Sequence, residues 1–149
     1  MQLSENFSLA EMVKSQTAER KGIVNDPSPE QVANLEALCQ NILQPIRDEF
    51  GSFIVSSGFR CGELCLAVGS SLKSQHAKGQ AADFEVAGVD NYDLARWCMT
   101  NLEFDQLILE CYESGKPNSG WVHCSYVPEG RREVLTYHRS TGYVKGLQL

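Results

Sequence analysis

The stretch that decides the fold and the site runs from residue 74 to residue 83 and reads Ser74-Gln75-His76-Ala77-Lys78-Gly79-Gln80-Ala81-Ala82-Asp83. It places the imidazole of His76 and the carboxylate of Asp83 seven residues apart, too far for one helical turn but suitable for a loop that runs into a strand. Gly79 and the small residues around it permit close backbone approach. Taken alone, the pair predicts little, because His and Asp often serve as surface polar groups.

A second histidine stands in an otherwise apolar run, Trp121-Val122-His123-Cys124-Ser125-Tyr126-Val127. Strand alternation places Trp121, His123 and Ser125 on one face. A histidine there either finds a hydrogen-bond partner in the core or binds a metal. Two histidines and one carboxylate, with a fourth position left for water, form a standard catalytic zinc set. We therefore expect His76, Asp83 and His123 to bind Zn²⁺.

Helix signals dominate the first half of the chain. Ser8 opens a capping box and predicts a short helix over residues 9–15. Ser28, followed by Pro29 and Gln31, opens the main core helix. Its apolar side chains recur every three or four residues, at Val32, Leu35, Leu38, Ile42 and Ile46. Pro45 should kink or tighten its last turn.

Strand signals dominate the second half. Strands are predicted at 53–55, 81–86, 104–112, 121–127 and 133–138, with helices at 63–68 and 91–101. Helices first and most strands afterwards predict an α+β domain, in which helices cover one face of a largely antiparallel sheet. A chain of 149 residues fits a single domain, 1–149, and we expect a monomer.

Charge and composition exclude several classes of protein. The net charge is −6 and the 13 Lys and Arg are scattered, which argues against nucleic-acid binding. No apolar run approaches the ~18 residues that a membrane span needs. No secretory signal is visible, so we expect synthesis in the cytoplasm. The six cysteines are then expected to be free thiols rather than disulfides or a structural zinc cluster.

The motifs together resemble the zinc D-alanyl-D-alanine carboxypeptidases and their relatives, which include L-alanyl-D-glutamate endopeptidases of phage endolysins and the hedgehog amino-terminal domain. The family pattern S-x-H-x-x-G-x-A-x-D matches Ser74 to Asp83, and Ser57-Gly58-Phe59-Arg60 resembles its S-G-[YF]-R segment. The resemblance covers about residues 6–127. It implies zinc-dependent cleavage of peptidoglycan stem peptides, by an endopeptidase or a carboxypeptidase, with Arg60 as a substrate contact.

The general base departs from the family pattern. Many members carry an acid three residues before the third metal ligand, where this chain has Gly120, and the H-x-H alternative fails because position 121 is Trp. The candidates left are Glu110 and Glu113, and the resemblance to the hedgehog domain favours Glu110. Further candidate roles are substrate positioning by Ser74 and Gln75, cleft lining or packing by Trp121, and orientation of a ligand histidine by Asp105.

Two other interpretations remain open at this point. The missing acid at position 120 also suits a zinc-bearing binding domain of the same fold that has lost catalysis, and a structural protein of a phage particle or wall-associated machine is a third possibility. The endolysin resemblance implies a phage or prophage protein, and one without a signal peptide would reach the cell wall through a holin-like pore.

Overall fold

A small hairpin and a run of helices begin the chain, which a computed structural model describes over residues 1–149. The elements of this half are β1 (Gln2–Ser4), β2 (Phe7–Ser8), α1 (Leu9–Val13), α2 (Gln16–Lys21), α3 (Pro29–Leu38) and α4 (Gln44–Phe50). Capping boxes at Ser8 and Ser28 start α1 and α3, as predicted. None of the helices is both long and apolar enough to cross a membrane.

The predicted disturbance at Pro45 takes the form of a π-helical turn. Residues Cys39–Leu43 join α3 to α4, and the amide of Gln44 bonds the carbonyl of Cys39, five residues back. Pro45 has no N–H to continue the α-helical ladder, and its ring would clash with the carbonyl of Asn41. The wider π turn accommodates the ring while Leu38, Ile42 and Ile46 all stay fully buried.

The second half forms one six-stranded sheet with two more α-helices. Its elements are β3 (Ile54–Ser57), α5 (Gly62–Ala67), a 3₁₀ turn (Gln75–Lys78), β4 (Ala81–Glu85), α6 (Asn91–Asn101), β5 (Gln106–Glu110), β6 (Trp121–Ser125), β7 (Glu133–His138) and β8 (Gly142–Lys145). The strand order is β3-β4-β6-β5-β7-β8. The expected α+β class and largely antiparallel sheet are confirmed; the one parallel pair is β5 with β7.

The two faces of the sheet have different partners. Alternate residues such as Phe84, Leu107 and Val122 are fully buried in one core cluster with α3 and α6. The intervening residues point to the opposite face. Across β4 and β6, Asp83 lies directly beside His123 in the register, so the sheet brings these two predicted ligands together on its open face.

Several elements lie outside the sequence prediction or differ from it. The β1–β2 hairpin, α2 and β8 were not predicted, and β5 and β6 are shorter than their apolar runs. The β5–β7 pair is parallel because residues 126–132 carry the chain from β6 across to the far side of β5. All six cysteines are free, as expected.

Candidate metal centre

His76 is held by a short turn whose caps are fixed by sequence. Ser74 begins the 3₁₀ turn, and its hydroxyl accepts a hydrogen bond from the His76 amide at 3.2 Å. Gly79 ends the turn in the left-handed conformation. The imidazole is 3% exposed, and its Nδ1 lies 2.7 Å from the carbonyl oxygen of Gly58.

That contact with Gly58 decides which nitrogen of His76 faces the site. A carbonyl oxygen can only accept, so Nδ1 carries the proton and Nε2 presents its lone pair. Backbone carbonyls fix metal-binding histidines in this way. Nε2 is buried and makes no hydrogen bond, although it lies 3.4 Å from Oδ1 of Asp83. A buried, unpartnered lone pair is what a metal ligand requires.

Asp83 and His123 complete a three-residue cluster on the open face. Nδ1 of His123 lies 2.9 Å from Oδ1 of Asp83, and the rings of His76 and His123 are 5.1 Å apart. One potential ligand atom from each of the three residues lies within 4.8 Å of the others. Burial alone would raise the pKa of Asp83, but the contacts with His123 and His76 outweigh it and hold that pKa well below its usual range. The carboxylate is therefore ionised, as a cation ligand must be.

Glu110 lies on the same face, one strand beyond His123. In the β5–β6 register Ile108 lies beside His123, and Glu110 beside Trp121. The indole Nε1 of Trp121 donates a hydrogen bond of 3.0 Å to Oε2 of Glu110. Burial, and then the charge of Asp83, raise the pKa of Glu110. A half-buried carboxylate with a raised pKa beside a metal cluster is suited to accept and release a proton.

The structure explains why no acid occupies position 120. Gly120 has a φ of +65°. A Cβ there would overlap the carbonyl oxygen of Glu110 and lie 2.7 Å from the amide nitrogen of Tyr112. In this chain the backbone of residues 110–112 fills the space that a side chain at position 120 would need, and the carboxylate near the cluster comes from Glu110 itself.

Glu113 lies outside the site. It is exposed and forms an ion pair of 2.7 Å with Lys116 three residues along, in the turn after β5. Of the two carboxylates considered from sequence, the fold therefore brings only Glu110 onto the face that carries Asp83 and His123.

Arg60 is tied to the ligand turn by its backbone. Its amide donates to the carbonyl oxygen of His76 at 3.1 Å. Its side-chain Nε is buried and has no hydrogen-bond partner, and its positive charge lowers the pKa of Glu110 against the larger effects of burial and Asp83. The residue nevertheless lines a surface pocket together with Ser56 and Ser57.

Three of the side chains with expected substrate roles make contacts within the protein. The Ser74 hydroxyl caps the turn, Trp121 holds Glu110, and Gln75 donates to Oδ2 of Asp105 at 3.0 Å. The prediction that Asp105 orients a ligand histidine is wrong. Its carboxylate binds Arg131 and Gln75, because it faces the loop after β6 rather than the cluster.

Sequence reasoning also missed the group that does orient His76. That group is the Gly58 carbonyl, and a backbone acceptor leaves no side-chain signal in the sequence. The only available hint was the small, turn-forming residue before Phe59.

An α+β sheet that carries a buried His–Asp–His cluster and a neighbouring glutamate on its open face has the construction of a metal-dependent hydrolase. Comparison with protein families is more specific: the family model described as Peptidase M15 matches residues 5–125. The chain belongs to the Peptidase M15 family and is therefore a metallopeptidase. No curated protein matches its sequence significantly.

Proposed function

We propose that this peptidase is a zinc enzyme that hydrolyses peptide bonds in peptidoglycan stem peptides, as an endopeptidase or a carboxypeptidase. The donor set supports zinc, because two imidazoles and one carboxylate suit a borderline-soft cation that leaves a position open for chemistry. The motif resemblance at Ser74–Asp83 and Ser57–Arg60 supports the substrate class.

His76, Asp83 and His123 would hold the ion. A zinc ion bound there supplies Lewis-acid polarisation of the scissile carbonyl and a water of lowered pKa. Glu110 takes a proton from the attacking water and passes it to the leaving amine, and Trp121 keeps the carboxylate aimed along the open face. Arg60 donates to a substrate oxygen from the pocket that it lines with Ser56 and Ser57.

The position of Glu110 is the observation that carries the catalytic proposal. A zinc-bearing domain without catalysis needs the three ligands but no buried carboxylate with a raised pKa beside them. Burial disfavours the ionised form of the Glu110 carboxylate and so raises its pKa. Carboxylates in such unfavourable positions are concentrated at functional sites.

The metal site is tested by zinc content and cell-wall digestion of His76→Ala. The chain has three histidines, so His138→Ala is a matched control: the His138 imidazole lies outside the cluster and hydrogen-bonds Ser140. We expect about one zinc ion per chain in the wild type and in His138→Ala, and loss of zinc and of digestion in His76→Ala. Equal zinc content in all three proteins would contradict the site.

The catalytic role is tested by Glu110→Gln, with Glu113→Gln as its control. The amide keeps the shape of the side chain and can still accept from Trp121, but it cannot take a proton. We expect the release of new amino groups from peptidoglycan to fall by about 10²–10⁴-fold with zinc retained, as for loss of a general base. Unchanged release from Glu110→Gln, or zinc-loaded wild type without any release, would favour the non-catalytic domain.

A further inference from the structure

A polar groove of about 750 Å³ is bordered by the same segment that carries His76. We call it the Arg131 groove. The residues of its lining that matter here are Lys73, Gln75, Lys78, Asp105, Arg131 and Tyr143. It shares none of its lining with the pocket that contains Arg60. Between the two pockets lies the ligand turn, where the amide of Arg60 bonds the carbonyl of His76, next to Gln75.

The charge of the groove is opposite to that of the protein. The chain carries a net charge of −6, yet the groove is lined by three cations and one acid. The acid, Asp105, is buried and paired with Arg131 at 2.9 Å. Lys73 and Lys78 are exposed and form no ion pair. The excess positive charge of the groove comes from Lys73 and Lys78, which have no counter-ion within the chain, whereas Arg131 is paired with Asp105 and lies 3.7 Å from Glu133.

Arg131 is held in one orientation. Its Nε and Nη2 donate to the two oxygens of Asp105 at 3.1 and 2.9 Å, and its own amide bonds the same carboxylate at 3.0 Å. Nη1 stays free of hydrogen bonds, with Glu133 at 3.7 Å, and the side chain is 59% exposed. Such a fork–fork pair fixes the guanidinium plane, and a ligand carboxylate at Nη1 would bind beside Glu133.

Two connections join the groove to the metal centre. Gln75 bonds Asp105 and is followed in the chain by His76. On the other side, the ring of Tyr143 packs at a tilt against that of Tyr137, with centroids 4.7 Å apart, and Tyr137 lies beside Glu110 in the β5–β7 register. A peptide whose scissile bond lies at the cluster can thus extend into the groove without leaving the open face.

We propose that the Arg131 groove binds a carboxylate of the substrate peptide, on a residue flanking the scissile bond, through Arg131 with Lys73 and Lys78. This rests on the proposed peptidase function and adds a specificity to it. Arg131 and Tyr143 both lie beyond residue 125, where the family match ends. The oriented cation of the site is therefore in the part of this chain that the match does not cover, whereas Lys73 and Lys78 lie within the match.

The test compares two stem peptides that differ in one group. One is L-Ala-γ-D-Glu-L-Lys-D-Ala-D-Ala with a free α-carboxyl on the glutamate, and the other carries the α-carboxamide there. For zinc-loaded wild type we expect kcat/KM to favour the carboxylate peptide by about tenfold, as for one charge-assisted hydrogen bond in a partly exposed site. The preference should weaken with added salt.

Three variants and a control separate recognition from folding. Arg131→Gln removes the oriented cation and should lower the preference about fivefold, and Arg131→Lys should retain part of it. The double variant Lys73→Gln/Lys78→Gln touches no internal side-chain contact and should lower the preference about threefold. Lys21→Gln, an exposed lysine at the end of α2, is the control. The ratio of kcat/KM for the two peptides does not depend on the fraction of folded enzyme. If the role of Arg131 is purely structural, its loss lowers kcat/KM for both peptides equally and leaves the ratio unchanged.

Equilibrium binding of both peptides to zinc-loaded Glu110→Gln distinguishes the two proposals. Arg131-dependent preference for the carboxylate peptide in binding, with neither peptide cleaved by wild type, would support the groove and refute the peptidoglycan substrate. Cleavage of both peptides at equal rates, or a preference that survives in Arg131→Gln and in the double lysine variant, would overturn the groove and leave the peptidase function standing.

Discussion

Replacement of Gly79 by Ala tests how the ligand turn is seated on the helical layer. Gly79 is buried and has a φ of +73°. A Cβ added there would lie 2.6 Å from the carbonyl oxygen of Gln31 and 3.2 Å from Cγ of Leu35, both on α3. The first contact is with backbone, so the turn or the helix must move. Gln31 also donates to the carbonyl of Ala77 at 3.0 Å, which holds the turn close to α3.

Two separate contributions determine the expected loss of stability. The left-handed conformation costs Ala about 1 kcal/mol relative to Gly, partly offset by a lower entropy of the unfolded chain. The turn or α3 must also move to relieve the backbone overlap, and this costs about 1–3 kcal/mol more. We therefore expect Gly79→Ala to lower the free energy of unfolding by about 2–4 kcal/mol.

Gly22→Ala isolates the conformational contribution. Gly22 has a φ of +66°, close to that of Gly79, but a Cβ there would meet no atom within 4 Å. It should lower stability by only about 0.5–1 kcal/mol. Both variants are unfolded in urea in the presence of a chelator, so that metal binding does not contribute to the measured stability.

The same substitution should affect the metal. A displaced turn moves His76 relative to Asp83 and His123, and we expect zinc affinity to fall about tenfold in Gly79→Ala, as for disturbed outer-shell partners, and not in Gly22→Ala. Competition with a chromophoric chelator measures this. Equal stability losses in the two variants, within about 0.5 kcal/mol, would refute the close approach to α3 as the reason for glycine.

Three further predictions follow from single contacts. Trp121→Phe removes the donor to Glu110, so the pKa of that carboxyl should rise further and the acid limb of kcat/KM should move to higher pH by about half a unit or more. Arg132→Ala removes two hydrogen bonds to the last carbonyls of α6, to Leu102 at 2.7 Å and Met99 at 3.0 Å, and should lower the free energy of unfolding by about 1–2 kcal/mol in urea. Burial raises the pKa of Cys39 and of Cys98 from 9.0 to about 12, so the unfolded chain ionises first as pH rises. The two buried thiols make their whole contribution to the free energy of unfolding below pH 9. Between pH 9 and pH 12 the free energy of unfolding should fall by about 1.4 kcal/mol per pH unit for each thiol.

Each of these has an outcome that contradicts it. An unshifted acid limb in Trp121→Phe would mean that the indole does not contact the ionised carboxylate. Arg139→Ala, at an exposed arginine without an internal partner, is the control for Arg132 and should change stability by less than about 0.5 kcal/mol. If Cys98→Ala leaves the slope of stability between pH 9 and pH 12 unchanged, that thiol does not titrate as its burial requires.

The parts of the molecule predicted from sequence are those with a local signal. Capping boxes at Ser8 and Ser28 located two helix starts, and the helix over Asn91–Asn101 was predicted with its observed bounds. The three members of the metal cluster were identified because His76 and Asp83 share one motif and His123 interrupts an apolar strand. The fold then brings them together as the motif implied.

The parts that were missed depend on contacts distant in sequence. β8 has mostly exposed side chains and no alternating pattern, so only its pairing with β7 makes it a strand. The parallel β5–β7 pair depends on the path of residues 126–132, which turns sharply at Glu129 and Arg132, both with positive φ. Arg131 and Asp105 are 26 residues apart, and nothing in either segment alone indicates that they meet.

The glycine at position 120 and the glutamate at position 110 are two sides of one arrangement. Gly120 lets β6 begin directly against the end of β5, and that approach leaves no room for a side chain at position 120. The same approach places Trp121 beside Glu110, where the indole can donate to it. A Gly120→Asp variant should therefore not restore an acid in the position common in the family. It should separate the two strand ends, release Glu110 from Trp121 and lower activity, even though it adds a carboxylate near the metal. Higher activity of Gly120→Asp in the Glu110→Gln background would show instead that position 120 can still supply the base.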